Sequence, residues 1–211
     1  MCFSMTASFI AGISLSAVGI LTLKKAKRKT EVPFALIPLL FGVQQIIEGG
    51  LWLSFRFDMV LLNTAATYAF SVFSHTLWPI FVPFSVGLLE PVRWRRNVLL
   101  IFQVVGLGIG FYLLYFIVKY PVIAVAEENI VYLSPHFYQI PPMMLYLVAT
   151  CVVSFFSSHS LVQVFGVLAL LLFFVAYWFY TIALFSVWCF FSAVLSFIIY
   201  LYFKMEYPAR E

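Results

Sequence analysis

From residue 97 to residue 118 the chain reads NVLLIFQVVGLGIGFYLLYFIV, without one charged side chain. An α-helix needs about 20 such residues to cross the hydrocarbon core of a bilayer. Comparable runs recur at approximately 4–23, 32–54, 61–89, 97–118, 140–157, 160–180 and 182–203. Together they predict an all-α fold, a polytopic bundle of seven transmembrane helices forming one domain over 1–211. No charge, Gly or Pro separates Trp178 from Ala183. The two runs that meet there are jointly too long for one span, so a tight turn near Tyr180–Thr181 is predicted. Six spans is the alternative count.

Composition agrees. The chain is 64% hydrophobic and 9% charged, against roughly a quarter charged in soluble domains, and nothing is left over for a water-soluble domain. The net charge of +4 is not a nucleic-acid footprint, because the basic residues sit in short loops flanking spans. Lys24, Lys25, Lys27, Arg28, Lys29, Arg93, Arg95, Arg96, Lys204 and Arg210 fall on one side of a seven-span bundle, leaving Arg56 and Lys119 on the other. The positive-inside rule then places the N-terminus outside and the C-terminus in the cytoplasm. The run from Ser4 to Leu23 is expected to be retained as a span, without the basic leader of a signal peptide. Cys2, with no apolar leader before it, is not expected to accept a lipid. Cys2, Cys151 and Cys189 are too scattered to imply a disulfide framework. The one sizeable outside loop, 120–139, holds Glu127, Glu128 and His136 and is expected to lie across the outer mouth.

Within the spans, polar residues mark inward faces, because lipid offers no hydrogen-bond partner. Gln44, Gln45, Glu48 and Trp52 share one face of the second span. Thr64, Thr67, Ser71, Ser74, His75 and Trp78 share one face of the third. Stripes of small residues run along three other spans: Ser4, Ser8, Gly12, Ser16 and Gly19; Gly106 and Gly110; Ser186, Cys189, Ala193 and Ser196. Such stripes are read as helix-packing surfaces. Pro79 and Pro83 lack N–H groups, so the carbonyls of His75 and Pro79 are predicted to lose their helical partners, with a kink just below His75.

Counting back from Ser54 puts Glu48 about 9 Å below the outer surface, at about 1.5 Å per residue. His75 lies nearer the bilayer centre. A cavity open to the outside, lined by Glu48, Gln44, Gln45, His75, Ser71, Ser74 and Trp78, is the leading expectation. Cys189 and the loop residue His136 are possible additions to it. A carboxyl at that depth serves as a proton carrier, a cation ligand, or a protonated hydrogen-bonding group between helices. Cys2, exposed as a new N-terminus if Met1 is removed, would add a thiol and an amine. Glu48, His75 and Cys2 could then hold a transition metal such as zinc with one position open. No paired ligand spacing supports that set, and His159 reads as an interfacial residue.

Several classes are set aside. The seventh span has no lysine for a retinal Schiff base, and there is no P-loop, dinucleotide-binding glycine pattern or serine elbow. The three histidines do not match membrane ceramidase-type hydrolases. Three functions stay open: binding or passage of a small solute, proton or metal ion; a metal-dependent enzyme acting on a lipid or small apolar substrate; and a sensor or accessory subunit. The bilayer and a small-molecule or ion ligand are the expected partners, with a homo-oligomer or a partner membrane protein also open.

"MCFSMTASF" at residues 1–9, "LFGVQQIIEG" at 40–49 and "SVWCFF" at 186–191 resemble a family of small prokaryotic multi-span proteins. Its members begin M-C-F-S-x-x-A-S-F and carry a similar Q-Q-x-x-E-G. The resemblance covers most of the chain and implies a multi-pass protein of the prokaryotic cytoplasmic membrane. It directs attention to Cys2, Gln44, Gln45, Glu48 and Cys189, and implies no activity.

Overall fold

The computed structural model describes residues 4–134 and 139–206. The protein is an all-α bundle with one small hairpin. Its helices are α1 (Met5–Lys25), α2 (Val32–Arg56), α3 (Val60–Ser71), α4 (Trp78–Leu89), α5 (Arg93–Lys119), α6 (Ile140–Thr150), α7 (Ser160–Phe179), α8 (Leu184–Leu195) and α9 (Phe197–Glu206). A π-helical turn, Val72–Leu77, joins α3 to α4, and a 3-10 turn, Val152–Phe156, extends α6. Six of the resulting helical units are long and apolar enough to cross a membrane; Ile140–Phe156 is a shorter apolar unit. The break at Tyr180–Ala183 falls where the sequence required a turn.

Small residues set the closest helix spacing. Gly12 and Gly19 of α1 lie against Ile46 and Leu39 of α2, and Gly42 of α2 lies against Ser16. On α5, Gly106 meets the carbonyl of Pro79, and a methyl group there would overlap it. That carbonyl has no helical donor, because residue 83 is also proline. The glycine lets the α5 backbone cover it, the close approach that small residues give membrane helices.

The segment after α5 is more than a loop. It contains an antiparallel hairpin, β1 (Ile123–Ala126) paired with β2 (Ile130–Leu133), with Ala126 opposite Ile130. Val122, Ala124, Ile130 and Tyr132 are buried in one cluster with Leu51 of α2, Phe70 of α3 and Phe185 of α8. Tyr132 stacks on Phe70 with ring centroids 4.4 Å apart. The hairpin is thus part of the core at that end of the bundle. His136, expected in this loop, lies outside the described residues, as does Cys2.

The opposite end is tied together by two buried carboxylates. Glu31 is 1% exposed. It accepts the Lys27 and Arg28 backbone N–H groups at 2.9 and 3.2 Å and the Arg28 Nε–H at 2.5 Å. Glu90 is 2% exposed and accepts N–H groups from Val92 at 3.1 Å and Ser158 at 2.6 Å. Arg95 and Gln163 both donate to the Ser157 carbonyl at 2.7 Å. His159, expected at an interface, is half-buried in this network, with its ring edge-on to Tyr202.

Candidate functional site

Mid-bundle, α2, the π-helical turn, α4, α6 and α8 meet around a cluster of polar side chains. Gln44, Gln45, Glu48, Ser71 and Ser74 are wholly buried, and His75 and Trp78 nearly so. The sequence therefore identified the inward faces of α2 and of the third helical unit. Thr64 is the correction. It is exposed and bonds its own helix at the Val60 carbonyl, 3.1 Å away. Near the start of α3, a threonine satisfies itself without a partner helix.

The cluster is organised by long-range hydrogen bonds. Trp78 Nε1–H donates to Gln44 Oε1 at 2.8 Å, while its ring stacks on Phe41 at 3.9 Å. Ser186 Oγ–H donates to Glu48 Oε1 at 2.5 Å. Gln44 and Glu48 both face the Cys189 thiol, one turn further along α8. Ser74 Oγ and His75 Nδ1 share a hydrogen bond at 2.7 Å. Phe185, the residue before Ser186, packs on the imidazole with centroids 4.3 Å apart. Consecutive residues of α8 thus touch His75 and Glu48.

Pro79 acts differently from the sequence expectation. With α-helical bonding, Pro79 would strip the partner from the His75 carbonyl. The π-helical turn shifts the pattern from i→i+4 to i→i+5, so the missing donor at residue 79 falls to Ser74. The Tyr146 hydroxyl, arriving from α6, donates to that Ser74 carbonyl. The orphaned acceptor is satisfied from another helix, and the widened turn carries His75 into the core.

Two residues of this site escaped the sequence reading. In the sequence Ser186 reads only as part of a small-residue packing stripe, and Tyr146 does not stand out. Their signals were weak, a serine one helical turn from Cys189 and a tyrosine in an apolar run. Each matters through a partner far away in sequence.

Among the described residues several buried side chains leave a polar atom unmet, Ser8, Thr67 and Ser154 among them, and Gln45 does so at both ends of its amide. Gln45 is 0% exposed, and neither its Oε1 nor its Nε2 meets a hydrogen-bonding group. An unmet buried polar atom costs about 1–3 kcal/mol, so this amide is expensive unless something small bonds to it. A cavity of about 30 Å³ lies beside the cluster. Of the predicted lining it touches Trp78 and Cys189, and its other walls include Tyr146, Cys151, Phe165 and Trp188. His75 instead lines a smaller recess with Met143 and Phe185. Among the described residues, no three His, Cys, Asp or Glu side chains gather as a metal-ligand set. The set of Glu48, His75 and Cys2 involves a residue outside them.

The model of a family described as being of unknown function, DUF6629, matches residues 1–211. No curated protein matches the chain. No solved structure matches it either.

Proposed function

We propose, for a chain that belongs to this family of unknown function, that the buried cluster around Glu48 is a proton-linked binding site for a small polar solute. Glu48 is the group that gains and loses the proton. Gln44, Gln45, His75 and Ser186 orient what binds, and Ser71, Ser74 and Trp78 complete the surroundings. The observation that carries this reading is Gln45, a fully buried amide with unmet donors and acceptor, three residues before Glu48 on α2. A polar side chain kept in that state within a membrane bundle is expected to have a functional partner.

The path across the bilayer is part of the same proposal. We place seven spans in the membrane with the N-terminus outside. This rests on basic residues gathering at the end that carries Glu31 and Glu90. Arg95 bonds Ser157 there, and Lys25 lies 6.0 Å from the Tyr200 ring centre.

The test is proton flux in proteoliposomes with an entrapped pH-sensitive dye, driven by a potassium diffusion potential. The wild-type protein should dissipate the gradient faster than empty vesicles. Glu48→Gln should return the rate to that of empty vesicles while keeping the helical circular-dichroism spectrum. A Glu48→Gln protein as fast as wild type would remove the proposal.

A further inference from the structure

The buried side chains on the two sides of the Glu48 cluster differ in kind. Along α2 and α4 toward the basic end the packing is apolar: Phe34, Ile37, Phe41, Val82, Val86 and Leu89 belong to one buried cluster. Ser85 within it bonds its own helix at the Val82 carbonyl, 2.9 Å away. Toward the hairpin, unmet polar atoms continue beyond Gln45. Trp52 stands one turn past Glu48 on α2, and its Nε1–H meets no acceptor. Thr67, one turn before Ser71 on α3, is 1% exposed, and its hydroxyl is unmet as well. Such atoms are costly in a sealed apolar core and are satisfied where water reaches them.

What closes this side is the hairpin. Val122, Ala124, Ile130 and Tyr132 seat it, and the Tyr132 and Phe70 ring planes are only 5° apart. Trp52 packs against the same buried cluster, which also contains Cys189 and Phe185. Glu48 and Gln44 face the Cys189 thiol, and Phe185 packs on His75. The seat of the hairpin and one wall of the Glu48 cluster are therefore built from the same side chains. The other face of the hairpin, with Ile123, Ala126 and Leu133, is exposed. A two-stranded sheet has little stability of its own. Its position depends on this one apolar seat, so it opens at less cost than the bundle unfolds.

We infer that the hairpin is a cover over the Glu48 site. On the proposed function, from which this inference proceeds, proton and solute reach Glu48 from the hairpin end, past Thr67 and Trp52, when the Tyr132–Phe70 stack opens. The apolar packing on the far side separates Glu48 from the basic end.

Cys189 is a reporter of that opening that does not depend on proton flux. The chain has three cysteines, so Cys2→Ser with Cys151→Ala leaves Cys189 as its only thiol. This full-length parent, in detergent, is reacted with a permanently charged methanethiosulfonate, and the labelled fraction is followed by mass spectrometry. Labelling should be slow in the parent. Tyr132→Ala removes the stack and part of the seat and should speed labelling about tenfold or more. The milder Tyr132→Leu, which keeps an apolar side chain in the seat, should fall between the two. Phe34→Leu, in the apolar packing on the far side, should leave the rate unchanged. Circular dichroism checks that each variant keeps its helix content. The inference is overturned if Tyr132→Leu and Tyr132→Ala label no faster than the parent. It is equally overturned if Phe34→Leu opens Cys189 as much as Tyr132→Leu does. Absence of Glu48-dependent proton flux with these rates as expected would remove the proposed function and leave the hairpin as the cover of the cluster, so the two failures are separable.

Discussion

Buried acidic and amide groups are treated in two opposite ways in this molecule. At the loop end, Glu31 and Glu90 have partners on both carboxylate oxygens, and most of those partners are backbone N–H groups of nearby turns. In mid-bundle, Gln45 has none on either amide atom. Both regions are almost completely shielded from solvent, so burial alone does not separate them. What separates them is satisfaction. A carboxylate fully met by its own loops is a fastener. An amide left unmet three residues from a buried carboxyl is, on the proposed function, where the solute binds. On the proposed function, the contrast separates a structural end of the bundle from a functional middle.

The contrast can be broken at either side. Glu90→Ala removes the acceptor that joins the turn after α4 to the turn before α7. It strands two donors in a buried site and should destabilise the protein by about 3 kcal/mol, since bonds to charged groups are worth about 1.5–3 kcal/mol each and are only partly recovered by water. Unfolding in detergent measures this, and a change near zero would mean the carboxylate is not a fastener. Tyr146→Phe is a milder change within the functional region. It leaves the Ser74 carbonyl without its donor and should cost about 1 kcal/mol. If the π-helical turn relies on that bond, the variant should also weaken the proton flux that Glu48→Gln is expected to abolish.

Much of the fold was legible because hydrophobic run length and polar-face periodicity are local properties. The helix bounds, the turn at Tyr180–Ala183 and the inward faces holding Gln44, Gln45, Glu48, Ser71, Ser74 and His75 all follow from neighbours within a few residues. What escaped depends on distant partners. The strands 123–126 and 130–133 are short and apolar, and nothing local distinguishes them from a loop lying on the bundle. The π-helical turn changes which carbonyl loses its donor, and that shift is visible only when Tyr146 is seen to meet Ser74. The role of Ser186 needed α8 to be placed against α2. Glu31 and Glu90 stand in or beside basic loops, where lysines and arginines dominate the local pattern and nothing nearby marks the acids as buried.

The measurement that bears most directly on this account is the stability of Gln45→Leu, compared with wild type by thermal unfolding in detergent without added solute. If Gln45 is kept for binding, removing its unmet amide should raise stability by about 1 kcal/mol or more, while the proton flux of the proteoliposome assay is lost. A clear fall in stability would show that the amide holds the bundle together, and would contradict the division between a structural end and a functional middle.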